Sequence, residues 1–314
     1  MGLYHGRDDH ARGYRRIEMG SVLAKAKYER YNEDKRRVCR AKGTGCMRRK
    51  REISSSAMLF LVYVFGFSVY LLGQYTDQAL MRFWNGYRGG LGMTVMTLAG
   101  LYVYRVWLKG EYAGSLKSKN TGKGILMMLP VLVLTVPEIG RIGFDKVTPE
   151  GAVFAVLAAL IGGVGEEAAF RAMPCAWLTK EKRNGKDFLK HALLVALIFA
   201  LLRLTDLLAR APVVDTLLGM GSSFGYGLLA AAVFLRCGTI VPCMIVHTLY
   251  NIPGILATAF PREGTVPDGT LSSKLILTGL ALVLGSLIYV YLKRGNAEAE
   301  MNSLWTEKWT ANEI

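Results

Sequence analysis

The cysteines make no paired set. The five present, Cys39, Cys46, Cys175, Cys237 and Cys243, are odd in number and scattered, and each falls in a cytosolic region or near the cytosolic end of an expected span. That argues against a disulfide framework. Cys39 and Cys46 have no matching second pair, so they read as ordinary thiols rather than as a metal knuckle. No HExxH pair of the kind that holds a catalytic zinc is present. Internal repeats with a period of about 20 to 50 residues are absent, and no inverted repeat is evident, which counts against a transporter or channel using a charged interior as an ion path. The first 56 residues are too polar, and too long before the first apolar run, to be a secretory signal peptide, so that run is expected to stay as a spanning helix.

Charge is nearly missing from eight long stretches, at about residues 57–73, 90–108, 124–139, 151–178, 188–209, 216–235, 239–260 and 273–292. These are too long to be buried strands of a soluble sheet, and in a chain that is 52% hydrophobic they define an all-α, polytopic membrane helix bundle of about eight transmembrane helices. The third is short and holds Pro130 and Pro137. What charge there is lies in the joints, where 39 Lys and Arg against 24 Asp and Glu give a net +15. With the N-terminal arm placed in the cytosol, 29 basic residues fall inside and at most 7 outside, and both termini are expected to be cytoplasmic. The surplus is therefore a topology signal, and nucleic acid is not expected as a partner. A compact chain with short joints points to a bacterial plasma membrane.

The expected organisation is a basic cytosolic arm over residues 1–56, an eight-span membrane domain over 57–292 and a cytosolic tail over 293–314. The arm carries 16 Lys or Arg and seven Asp or Glu, suited to the anionic lipids of an inner leaflet. In the tail, Trp305 and Trp309 stand four apart in a charged setting, as in a short interfacial helix. Gly89, Gly90, Gly92 and Gly100 around the second span, and Gly219, Gly221, Gly225 and Gly227 in the sixth, let helices approach closely, within one bundle or against a partner helix.

A few polar residues sit where the bilayer penalises them. The fourth span, GAVFAVLAALIGGVGEEAAFRAMPCAWL, buries Glu166, Glu167 and Arg171 among apolar and small neighbours. Three ionisable groups at that depth need a shared polar interior or a water-filled cavity. Glu167 and Arg171 are one helical turn apart and pair along one face, whereas Glu166 points about 100° away and is left to hold a proton or a water. In the seventh span His247 and Asn251 share a face. At about 1.5 Å per residue Glu166 lies roughly 18 Å and His247 roughly 12 Å from the cytosolic ends of their spans, so the two can meet. The fifth span holds Arg203 and Asp206 three apart, able to pair in its outer half, with His191 at its cytosolic start. Charge pairs that merely lock helices together are the competing explanation for this set.

These residues resemble a known family. GEEAAFR, from Gly165 to Arg171, is similar to the Glu-Glu-x-x-x-Arg motif of the CPBP family of intramembrane proteases, which includes the Rce1-like CAAX prenyl endopeptidases and the bacterial Abi proteins. FGYGLLAAAVFLRCGTIVPCMIVHTLYN, from Phe224 to Asn251, resembles that family's last block, ending in His-x-x-x-Asn. The resemblance covers about residues 120–260. It implies that Glu166 activates water for attack on a peptide carbonyl, and that His247 and Asn251 bind the water or stabilise the oxyanion, beside the Glu167–Arg171 pair. No cofactor is expected, because a metal would need more ligands than His247 and the glutamates; a divalent metal such as zinc, held by Glu166 and His247, is the minority alternative. The chain departs from the family at one place: where Phe-x-x-x-His is expected it reads Phe199, Ala200, Leu201, Leu202, Arg203. An arginine is permanently cationic and cannot act as a base or ligate a metal, although it can hold an acidic group or an oxyanion.

Two readings stay open at this stage. One is an intramembrane endopeptidase cleaving near the cytosolic face, with a peptide or membrane protein, lipidated or not, as its substrate. The other is a relative without catalysis that binds a partner protein through its membrane domain or basic arm.

Overall fold

A computed structural model of the chain describes residues 120–172, 185–208, 211–265, 269–292 and 296–311, together with scattered positions between 64 and 118 and at 174, 175, 178, 179 and 294. The basic arm with Cys39 and Cys46, and most of the first two expected spans, lie outside the described residues. Every element described is helical. They are α1 (Thr121–Met128), a 3-10 stretch (Leu129–Thr135), α2 (Val136–Gly140), α3 (Pro149–Glu167), a π-helical turn (Ala168–Ala172), α4 (Gly185–Leu201), a 3-10 turn (Leu202–Leu204), α5 (Thr205–Leu208), α6 (Val213–Cys237), α7 (Val241–Ala259), α8 (Leu271–Leu292) and α9 (Ala297–Ala311). Six helical stretches among these are long and apolar enough to cross a bilayer, at 121–140, 149–172, 188–207, 213–237, 241–259 and 271–292. They match the third to eighth expected spans, and the chain is an integral membrane protein.

Local chemistry explains the interruptions. Pro130 and Pro137 remove two amide donors and their rings crowd the preceding turn, so the backbone between them tightens into a 3-10 helix rather than ending the span. Thr148 caps α3 by accepting the Gly151 amide at 3.1 Å, with Pro149 at the first helical position. α6 ends on Gly238 in the left-handed conformation, φ 67°, its amide donating to the Phe234 carbonyl at 2.8 Å. Beyond α2, the Gly143 amide donates to the Phe260 carbonyl at 2.9 Å and the Arg262 amide to the Arg141 carbonyl at 2.8 Å, pinning this joint to the end of α7.

α6 is the central helix, with every residue from Tyr226 to Leu235 buried. Its small residues face different neighbours. A Cβ on Gly225 would lie 2.3 Å from the Ala281 carbonyl oxygen, one on Gly285 2.4 Å from the Gly225 carbonyl oxygen, and one on Gly221 2.7 Å from Thr278 Cγ2, so α6 and α8 run side by side in near backbone contact. Gly227 faces α4 instead, against Ala196. Of the eight glycines expected to serve close packing, Gly89, Gly90, Gly92 and Gly100 lie outside the described residues, three of the four in the sixth span are used within the bundle, and Gly219 has nothing within 4 Å. Gly225→Val is accordingly expected to destabilise the protein by about 1–3 kcal/mol, because backbone rather than a flexible side chain must move. Gly219→Ala is expected to be neutral. Thermal unfolding of the two purified variants in one detergent checks this, and equal melting would refute the packing argument.

The outer faces keep Leu126, Val133, Leu157, Leu217, Ile276 and Leu287 exposed, as lipid-facing residues should be. The tail helix differs from the expectation of an interfacial tryptophan pair. Trp305 and Trp309 are buried against the bundle: Trp305 Nε1 donates to the Leu235 carbonyl at 2.8 Å and its ring meets Phe234 edge-on at 5.3 Å, while Trp309 Nε1 reaches Thr179 Oγ1 at 3.4 Å. Leu235 is in the last turn of α6, where carbonyls lack helical partners, so an indole donor gains more there than among headgroups. An Arg236–Glu300 ion pair adds to the attachment.

Candidate active site

α3 and α7 are brought together by an absent side chain. A Cβ on Gly163 would lie 2.8 Å from the Thr248 amide nitrogen and 2.7 Å from its Oγ1, so the helices touch backbone to backbone at this level. The acidic pair is therefore delivered directly against His247. Immediately after Glu167 the helix widens into the π-helical turn Ala168–Ala172, which carries Arg171.

Glu167 and Arg171 are both fully buried, at 0% exposure, and form an ion pair through Arg171 Nη1 and Glu167 Oε1. The same oxygen accepts the Tyr226 hydroxyl at 3.0 Å and lies 2.8 Å from His247 Nδ1. The guanidinium lies over the Phe199 ring, 4.0 Å from its centroid, and 4.8 Å from the centroid of Tyr226. The Tyr226 ring also packs on His247 at 4.9 Å and on Tyr250 at 5.9 Å. One carboxylate oxygen thus gathers a cation, a phenol and an imidazole from three different spans, the pairing that a charge in a low-dielectric interior requires, while Glu167 Oε2 and Arg171 Nε and Nη2 are buried without a hydrogen-bond partner among the described residues.

Glu166 takes no part in that cluster. Its side chain is 21% exposed and lines a cavity of about 380 Å³ between α2, α3 and α7, whose other walls are Glu138, Ala158, Ile161, Gly162, Tyr250, Asn251, Gly254 and Ile255. Its Oε2 faces His247 Nε2 at 3.9 Å. His247 therefore stands between the two glutamates, with Nδ1 on the buried one and Nε2 toward the one at the cavity. An ionised Glu167 accepts a hydrogen bond from Nδ1–H, which leaves Nε2 of the neutral ring as the acceptor nitrogen.

The sequence-predicted residues thus divide into three places. Glu167, Arg171 and His247 meet directly; Glu166 and Asn251 share the cavity wall; Arg203 lies one turn beyond Phe199, 49% exposed, where its Nε donates to Ser223 Oγ at 3.1 Å and its Nη1 is 3.7 Å from Asp206 Oδ2. His191 is buried beside Phe188, with ring centroids 6.4 Å apart, at the start of α4. Sequence reasoning missed Tyr226 and Tyr250, and gave Phe199 only a place in a motif. A tyrosine inside the glycine- and alanine-rich sixth span was the available signal, because a buried phenol needs a partner. For zinc, Glu166 and His247 supply two ligands where protein sites use three or four, and among the described residues no group of three or more His, Cys, Asp or Glu is placed to hold a metal ion.

Fold and site together define a polytopic helical membrane protein in which one carboxylate lines a cavity with an imidazole 3.9 Å from it. Residues 148–253 match the family described as type II CAAX prenyl endopeptidase Rce1-like. The match begins at the Thr148 cap of α3 and ends two residues past Asn251, inside the 120–260 stretch that carries the motif resemblance. No curated protein matches the chain.

Proposed function

We propose that the protein is an intramembrane endopeptidase in which Glu166 and His247 together activate a water molecule. The observation that carries this reading is the 3.9 Å separation of His247 Nε2 from Oε2 of Glu166, the carboxylate that lines a polar-headed cavity. Two acceptors at that distance can each take one hydrogen of a single water, with legs of about 2.8 Å, and this turns the oxygen lone pairs toward a substrate carbonyl. Glu166 then takes the proton as the oxygen attacks, and returns it to the leaving amine. Asn251, lining the same cavity from α7, is the donor available to the developing oxyanion. Glu167, held by Arg171 and Tyr226, fixes the His247 ring and its tautomer. Catalysis in this scheme needs no metal, and its substrate is a peptide segment in or at the membrane, near the end of the bundle at which Val241 and Cys237 lie. That end is the cytoplasmic one in the topology we favour, in which the protein sits in a bacterial plasma membrane with both termini in the cytoplasm.

The second reading is a relative that has lost hydrolysis and binds a protein partner, and Arg203 in the place of a histidine favours it. Purified protein is expected to cleave a fluorogenic or membrane-embedded peptide, and a broad peptide set with no cleavage above a Glu166→Gln control would overturn the enzyme reading. In our scheme Arg203, turned to Ser223 and Asp206, neither moves a proton nor touches the water, so Arg203→Ala is expected to change kcat/KM by less than about tenfold, the size of a lost positioning contact rather than of a lost general base. Recovery of activity only in Arg203→His would assign the chain to the non-hydrolytic reading. A protein partner that co-purifies in detergent and survives Glu166→Gln would support that second reading.

A further inference from the structure

The glycines of α3 and α7 are of two kinds. Gly163 is imposed by packing, because Thr248 fills the space that a Cβ would need. Gly162 and Gly254 are not. A Cβ on Gly162 would meet only Asn251 Nδ2, at 3.8 Å, and one on Gly254 would meet nothing within 4 Å. Neither close approach nor backbone conformation demands glycine at these two positions, and a helix interior disfavours it by about 1 kcal/mol relative to alanine. Both line the cavity that Glu166 and Asn251 share.

Their positions along the helices are informative. Ala158, Gly162 and Glu166 are spaced four apart on one face of α3, so the wall descends by about 6 Å per step from Glu166 past Gly162 to Ala158. Across it stand Gly254 and Ile255 of α7, beyond Tyr250 and Asn251. Pro253 precedes Gly254 and removes one helical hydrogen bond at this level. The cavity is thus polar at the Glu166–Asn251–Tyr250 end, apolar and lined with small residues for the next turn or two, and polar again at Glu138, whose carboxylate is held by Arg141 at 2.7 Å. A length of about 12 Å from Glu166 to Ala158 fits three or four residues of extended peptide.

Resting on the peptidase reading of this site, we propose that Gly162 and Gly254 are specificity-determining residues: the space left by their missing side chains receives a bulky apolar side chain of the substrate, next to the scissile bond. Substrates with Phe or Leu at that position gain burial against Ile161 and Ile255, whereas Ala leaves the space unfilled. The size of the residue at 162 or 254 then sets the preference.

The experiment compares two fluorogenic peptides that differ only in Ala or Phe at a position flanking the scissile bond, using the purified full chain. Gly162→Val and Gly254→Leu are each expected to lower the Phe-to-Ala ratio of kcat/KM by about tenfold or more, mainly through KM, as expected of volume lost from an apolar pocket. Gly219→Ala, which lies off the cavity, should leave the ratio unchanged, and melting of Gly254→Leu should match the wild type because its Cβ enters open space. A ratio unmoved in both cavity variants overturns the proposal. An activity-independent arm uses the Glu166→Gln chain and a benzophenone-bearing peptide with Phe at the same position. Cross-links mapping to 158–166 or 250–255 that disappear on adding Gly254→Leu support the slot even if no peptide is ever cleaved, in which case only the hydrolytic reading falls. Cross-links that are absent, or indifferent to Gly254→Leu, overturn the slot itself.

Discussion

Glu166→Gln is expected to lower kcat by about two to four orders of magnitude, the range associated with loss of a general base, with KM changed by only a few-fold. Glutamine keeps the size and planarity of the side chain and can still hydrogen-bond a water, but it cannot accept the water's proton. The folded protein should survive the change, because Glu166 lies on a cavity wall and its ionic neighbour is His247 at 3.9 Å, too far for a hydrogen bond that the substitution would break. Glu166→Asp keeps the base but withdraws it by one methylene, widening the gap to His247 Nε2, so partial activity is expected between the two. Single-turnover cleavage of a fluorogenic peptide, alongside melting in the same detergent, separates loss of chemistry from loss of fold. A Glu166→Gln protein retaining more than about a tenth of wild-type kcat would place water activation elsewhere, with Glu167 the next carboxylate to test.

Much of this site was readable because helical periodicity acts over short range. Four-residue spacing pairs Glu167 with Arg171 and turns Glu166 away from them, and the structure shows one glutamate fully buried and the other on the cavity. Six spans were visible in the distribution of charge alone, and even the short, proline-bearing third one forms, with a 3-10 middle set by its two prolines. What could not be read depends on how close separate helices come. The expectation joined His247 to Glu166, yet its nearer contact is Glu167 at 2.8 Å, a distance set by Gly163 lying on Thr248. Tyr226 was concealed in a run of small residues that serve packing on other faces of the same helix. The buried tryptophans of α9 mislead for a related reason: an indole suits a membrane interface and a protein interface equally, and only the free carbonyl at Leu235 decides between them.

Arg171→Met is expected to produce the largest loss of stability of any single change discussed, about 3–5 kcal/mol, because it leaves the Glu167 carboxylate buried without its cation. Methionine retains much of the volume and can still pack on Phe199, so the effect reports charge rather than a cavity. The double variant Glu167→Gln/Arg171→Met removes both charges and should recover most of that stability, since desolvating two ions offsets much of the energy gained from their attraction. Activity is expected to behave differently. With Glu167 ionised, the proton of His247 is held on Nδ1 and Nε2 is free to accept from the water; a glutamine there can bond either ring tautomer and no longer imposes the one that is needed. The double variant should therefore melt close to the wild type while kcat stays reduced by about a hundredfold or more. Measuring melting and kcat on the two single variants and the double completes a thermodynamic cycle. Additive losses of stability would show that the pair is not coupled, and a double variant that is both stable and fully active would show that the buried charges lock helices together without serving the chemistry.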